Sequence, residues 1–186
     1  MSLVDRIKGM LVEPRSEWPK VAAEPATVQS LYTGWIMILA AVGPVALLLS
    51  MHSIQFAIAQ YVLVLITTFV LAVIVDALAP TFGGSKDFVA SLKLVAYSYT
   101  AAWLAGVFLM FGMLGYLLLL IATIYAFYTF VIGAPVLGKS SAEKAVPFTL
   151  VVVLCTIVLS FLTSFVFSGI TTMAPQMNSG VGLVTR

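Results

Sequence analysis

The sequence is poor in the side chains that polar chemistry draws on. It holds one histidine, one cysteine, nine basic and seven acidic residues in 186 positions. Charged residues make up 9% and apolar residues 62%, against about 25% and about 45–50% in a globular domain. A lone histidine and a lone cysteine cannot supply a metal-ligand set with recognisable spacing, so no metal site and no cofactor are expected. The composition excludes a water-soluble enzyme, a nucleic-acid binder and a disulfide scaffold.

The few charges are bunched. None lies between Glu24 and Asp76, between Lys93 and Lys139, or between Lys144 and Arg186. A membrane helix needs about 20 apolar residues. The first two gaps therefore hold two spans each, and the third holds one plus a tail. The expected fold is an all-α integral membrane protein, a bundle of five transmembrane helices near 31–50, 56–79, 92–111, 114–137 and 146–173. Residues 61–75, YVLVLITTFVLAVIV, are apolar on every face, as a lipid-surrounded helix should be. Such runs are too long and too uniform for the strands of an outer-membrane barrel.

Basic residues set the expected orientation. Arg6, Lys8, Arg15 and Lys20 precede the first span, Lys86 and Lys93 follow the second, and Lys139 and Lys144 follow the fourth. The opposite side carries Arg186 alone. The N-terminus is expected in the cytoplasm and the C-terminus outside, with residues 174–186 as a flexible external tail. No cleavable signal peptide is expected, because the first apolar run starts late and is long enough to span. Residues 1–30 form a cytoplasmic segment with a short interfacial amphipathic helix: Leu3, Val4, Ile7, Met10 and Leu11 on one face, Asp5, Arg6 and Lys8 on the other. Glu13-Pro14 should end that helix, and Trp18, Tyr32 and Trp35 should lie at headgroup depth.

Gly133-Ala-Pro-Val-Leu-Gly138-Lys139-Ser140 satisfies the phosphate-loop pattern. The mechanism behind that pattern needs backbone N–H groups in a loop between strand and helix. Here a membrane helix precedes it and Pro135 removes an N–H, so nucleotide binding is not expected. Lys139 is read as a headgroup anchor. Cys155, inside the fifth span, is read as a small packing residue, and His52 as a polar interfacial one.

Asp76 is the one ionisable group embedded in an apolar run, and a carboxylate at membrane depth is a candidate functional group. Its position near Pro80 also allows a structural ion pair, with Lys86 and Lys93 as the leading partners and Lys139 also within reach. Thr156, Ser160, Ser164 and Ser168 recur every four residues and form one small-polar ridge, suited to close helix packing or to lining a path. Tyr97, Tyr125 and Tyr128 are further candidates for a helix interface or lining, since buried phenols need partners.

Several of these residues resemble the Yip-domain family, the Ypt/Rab-interacting-protein type of five-span membrane proteins, and its small bacterial members in particular. The similarity lies in Pro14-Arg-Ser-Glu-Trp18, in Leu31-Tyr32, and in Phe82-Gly83-Gly84 followed by Leu92-Lys-Leu-Val-Ala-Tyr97-Ser98. It continues in Gly115, Tyr125, Gly133–Pro135 and Lys144-Ala145. The family's proline after the tyrosine-serine step is replaced here by Thr100-Ala101-Ala102-Trp103, and the long N-terminal region of the eukaryotic members is missing. Those members are associated with Rab GTPases, vesicle traffic and membrane shaping; a compact bacterial-type member has no Rab to bind. The resemblance implies five spans in a bacterial inner membrane and a non-enzymatic role. Membrane organisation, or an adaptor role through helix–helix association, is the expected function. The alternative is a carrier of a small solute, ion or lipid with a polar path near Asp76. Expected partners are membrane lipids and the protein itself or other membrane proteins, with no nucleic acid and no nucleotide.

Overall fold

The computed structural model describes residues 2–181, and side chains within 2–50 and 52–169. Among them the chain is mostly helical, with five helices long and apolar enough to cross a membrane. We number the helices α1 (Leu3–Val12), α2 (Pro14–Ala23), α3 (Val28–Ser50), α4 (Ile54–Phe82), α5 (Phe88–Phe111), α6 (Met113–Val136) and α7 (Ala145–Val181). The spanning part of α7 is Ala142–Gly169, which includes a short 3₁₀ turn before it; residues 182–186 of the expected tail lie outside the described residues.

Local chemistry explains the boundaries. Ser2 caps α1 by accepting from the Asp5 N–H at 3.1 Å. Pro14 opens α2, where its missing N–H costs nothing. Thr27 and Ser30 form a reciprocal capping box, so α3 begins three residues before its apolar run. Asp87 accepts from the Ala90 N–H at 3.1 Å and starts α5 early in the same way.

The spans are not uniform rods. The helix α3 widens into a π turn over Tyr32–Ile36 and steps at Ala41, beside Pro44. Its end at His52 is left-handed, with φ 53°. A bend in α5 falls at Tyr99, where Thr100 Oγ1 donates to the Tyr97 carbonyl at 2.7 Å. A threonine hydroxyl thus disturbs the helix where proline is absent. Gly43 and Gly106 let α3 and α5 touch backbone to backbone: a Cβ on Gly106 would lie 2.9 Å from the Gly43 Cα.

The bundle has two unlike ends. Its charged end carries α1, α2 and the two loops around residues 83–87 and 137–141. Its apolar end carries the turns at His52 and Gly112. The best-buried core, including Trp18, Ile36, Val75, Leu94, Phe130 and Phe148, gathers toward the charged end.

Candidate functional site

Asp76 stands at the charged end of α4. Its Oδ1 accepts from the Asp87 N–H at 2.8 Å, from Ser91 Oγ at 3.0 Å and from Lys139 Nζ at 3.2 Å. Lys139 is fully buried, and its ammonium also donates to the Ser85 carbonyl at 2.7 Å. The two loops close over this pair. Ser85 N–H donates to the Gly138 carbonyl at 2.9 Å and Ser141 N–H to the Phe82 carbonyl at 3.0 Å, with an antiparallel bridge at Gly83 and Ser140. The glycine pair makes the closure possible. Gly83 has φ +80°, and a Cβ on Gly84 would sit 2.3 Å from the Lys139 carbonyl.

The partner of Asp76 is therefore Lys139, and the leading expectation of Lys86 or Lys93 is corrected. Lys86 is exposed and makes no ion pair among the described residues. Lys93 is buried and points the other way, donating to the Val21 carbonyl at 2.9 Å and to the Glu24 carbonyl. It caps the C-terminus of α2, where a cation suits the exposed carbonyls. Lys139 is likewise not a headgroup anchor, because its charge is enclosed by protein. The phosphate-loop pattern around it is taken up by the end of α6 and the loop clip.

The N-terminal segment departs most from its expected faces. Arg6, expected to be solvated, is buried with its guanidinium 2.8 Å from Glu17, and it also pairs with Glu24. Glu17 is buried too and takes Lys20 at 2.9 Å. Val4, expected on the apolar face turned to the membrane, is 63% exposed, which agrees with that face. Trp18, expected at headgroup depth, is completely enclosed: its Nε1 donates to the Thr129 carbonyl at 3.0 Å, and its ring lies over Gly133. A tryptophan finds apolar cover and a partner for its N–H in one place there. Trp35 is enclosed as well, donating to the Ala96 carbonyl at 3.3 Å. So α1 and α2 form a hairpin wedged into the charged end.

The tyrosines divide. Tyr97 packs against Trp18 and Trp35, with ring centroids at 6.4 and 4.5 Å. Tyr125 ties α6 to α1, donating to the Leu11 carbonyl at 2.9 Å. Tyr128 is 46% exposed and lies tilted against Tyr125, with ring centroids 5.8 Å apart. Of the ridge on α7, Thr156, Ser160 and Ser164 border a cavity of about 420 Å³ between α4, α5 and α7, whereas Ser168 bonds back to the Phe165 carbonyl and is not on its wall. Asp76 is not on that wall either. Along α4, the fully buried Ala72 and Val75 separate it from Leu71 on the cavity wall.

Sequence reasoning missed the facing wall, Gln60, Thr67 and Thr68 on α4. The two threonines stood inside the run read as apolar on every face, and their hydroxyls were the available sign.

Several residues that hold the charged end together are also among those carrying the resemblance: Trp18, the Gly83-Gly84 pair, Tyr97, Tyr125 and Gly133. The family model described as the Yip1 domain matches residues 8–178. No curated protein and no solved structure matches the chain. With the match covering nearly its whole length, the chain belongs to the Yip1 domain family.

Proposed function

We propose that this Yip1 domain protein is a non-catalytic adaptor or organiser of a bacterial inner membrane, acting through helix–helix association with other membrane proteins or with itself. The observation that carries this reading is the sparse cover on α7. Only 6% of its most apolar window is buried, against 28–44% in the other four spans. A small-hydroxyl ridge runs along it, of the kind that lets helices approach closely. The buried charges also support a non-catalytic role: Arg6, Glu17, Asp76 and Lys139 are engaged in ties within the fold. A carrier with its path at Asp76 has less support, because packed apolar residues lie between that carboxylate and the cavity. The eight-to-one excess of basic residues at the charged end favours placing that end, with the N-terminus, in the cytoplasm.

The test uses single cysteines at Leu154, Phe161 and Phe165 in a Cys155→Ala background, cross-linked by a thiol-reactive reagent in native membranes. Adducts that recur along one face of α7 are expected. Failure to form adducts at every position would overturn the reading. A cysteine at Ser85 should resist an impermeant reagent added from outside, and labelling there would reverse the orientation.

A further inference from the structure

The cavity between α4, α5 and α7 has a definite chemistry. Its volume, about 420 Å³, falls in the range of about 300–1,000 Å³ of small-molecule sites. Among the described residues, no charged side chain lines it. Ser160 and Ser164 on its border are exposed and lie within the spanning window Ala142–Gly169, so the cavity opens sideways at membrane depth. An occupant must enter from the hydrocarbon and must be uncharged, because a charge there would meet no counter-charge.

The hydrogen bonds narrow the occupant further. Thr68 donates to the Val64 carbonyl at 2.8 Å, and Ser160 to the Thr156 carbonyl at 2.8 Å. Tyr99 donates to Thr156 Oγ1 at 3.2 Å. With those protons committed, Thr68 and Ser160 offer the cavity lone pairs but no free donor. The Gln60 amide, half-buried on the same wall, has no hydrogen-bond partner among the described residues. An unpaired amide at membrane depth is costly, and a bound polar group would relieve it.

We propose that this cavity binds an uncharged lipid whose polar end carries a free hydroxyl, with the hydroxyl bonding to the unpaired Gln60 amide and the chain lying along α7. The site is formed by one copy of the chain and does not rest on the adaptor reading.

The probe is hexadecanol carrying a photoactivatable group in its chain, compared with its methyl ether, which lacks only the donor. Both are added to the full-length protein in phosphatidylcholine vesicles. The alcohol should label α4 and α7 saturably at cavity positions, and the ether about three- to tenfold less, the worth of one hydrogen bond. Gln60→Leu should reduce alcohol labelling while leaving the melting temperature unchanged. Equal labelling by alcohol and ether would overturn the proposal. So would non-saturable labelling spread over Phe161 and Phe165, which would mark ordinary annular lipid. Undiminished alcohol labelling in Gln60→Leu would overturn it as well.

Discussion

The two ends of the bundle are held by different forces. At the charged end, side chains far apart in sequence bond across elements: Trp18 to α6, Lys93 to α2, Lys139 to both Asp76 and the α4–α5 loop. Most of these groups are buried and each has a partner, so the geometry is fixed by the cost of leaving any of them alone. At the apolar end most hydroxyls bond to their own helix, as Thr123 does to the Leu119 carbonyl and Thr163 to the Leu159 carbonyl. The cross-helix ties there are few, chiefly Tyr61 to the Met37 carbonyl and Thr67 to Thr163. Packing between apolar faces in lipid supplies little preference for one arrangement over another. The contrast teaches that this small membrane domain takes its specificity from the charged end and leaves the apolar end adjustable.

The largest test of that contrast is Trp18→Ala. Removing a fully buried indole should cost about 3–5 kcal/mol and leave the Thr129 carbonyl without its indole donor. A strongly lowered melting temperature in detergent is expected, together with rapid proteolysis of residues 1–25. A change no larger than that of a lipid-facing control such as Phe165→Ala would break the comparison, because Phe165 is 79% exposed. Next comes Asp76→Asn, which leaves the enclosed Lys139 ammonium without its counter-charge. Breaking a buried pair on one side costs about 3–5 kcal/mol, and the partial exposure of Asp76 places this change near the lower figure. Adding Lys139→Met should restore much of the loss, whereas adding Lys86→Met should restore none. Rescue by the Lys86 change would mean that the loop clip does not select the ion pair.

The sequence made the five spans legible because a charge cannot be hidden in hydrocarbon, so three long gaps between charges mark them out. Helix starts were harder to see. Thr27 and Asp87 are polar caps that begin helices before hydropathy rises. Asp76 was legible as an odd carboxylate, but its partner was not: Lys86, Lys93 and Lys139 all lie at the same end. What selects Lys139 is the bridge between two loops more than fifty residues apart, which no local pattern encodes. Arg6 shows a related limit. Helical periodicity assigns an arginine to water, and only the return of α2 beside α1 brings Glu17 to it. The α4 wall of the cavity was visible in principle, since Thr67 and Thr68 interrupt an otherwise apolar run.

A smaller effect is expected at the few ties of the apolar half. Tyr99→Phe removes the bond from the phenol to Thr156 Oγ1, a cross-helix link from α5 to α7. Hydrogen bonds between membrane helices are worth about 0.6 kcal/mol on average, so the melting temperature should fall only slightly. Hydrogen exchange near 156–164 should still rise, because α7 has little else holding it in register. Exchange unchanged there, or a loss matching that of Asp76→Asn, would show that the two halves are not held differently.

The smallest expected effect lies at the exposed tip of the charged end itself, and it limits the comparison from within. The Ser2 hydroxyl donates to Asp5 Oδ2 at 2.6 Å, and this bond is the chief reason that the Asp5 carboxyl titrates below its ordinary value of 3.8. A carboxyl depressed in the folded state contributes stability above its ordinary value, and that contribution is lost as the pH falls through the folded value. The window therefore lies in acid, below 3.8, and nothing should change near neutrality. In Ser2→Ala the Asp5 titration, followed by carboxyl-carbon NMR, should move up toward its ordinary value. The melting temperature at pH 7 should stay where it is, because Asp5 is open to solvent and water replaces the lost partner. Only the first turn of α1 should exchange faster. If Ser2→Ala instead loosened Trp18 or Tyr125, the tip and the wedge of the N-terminal hairpin would be one cooperative unit. The division between fixed and adjustable regions would then begin at residue 2 and not at the buried Arg6–Glu17 pair.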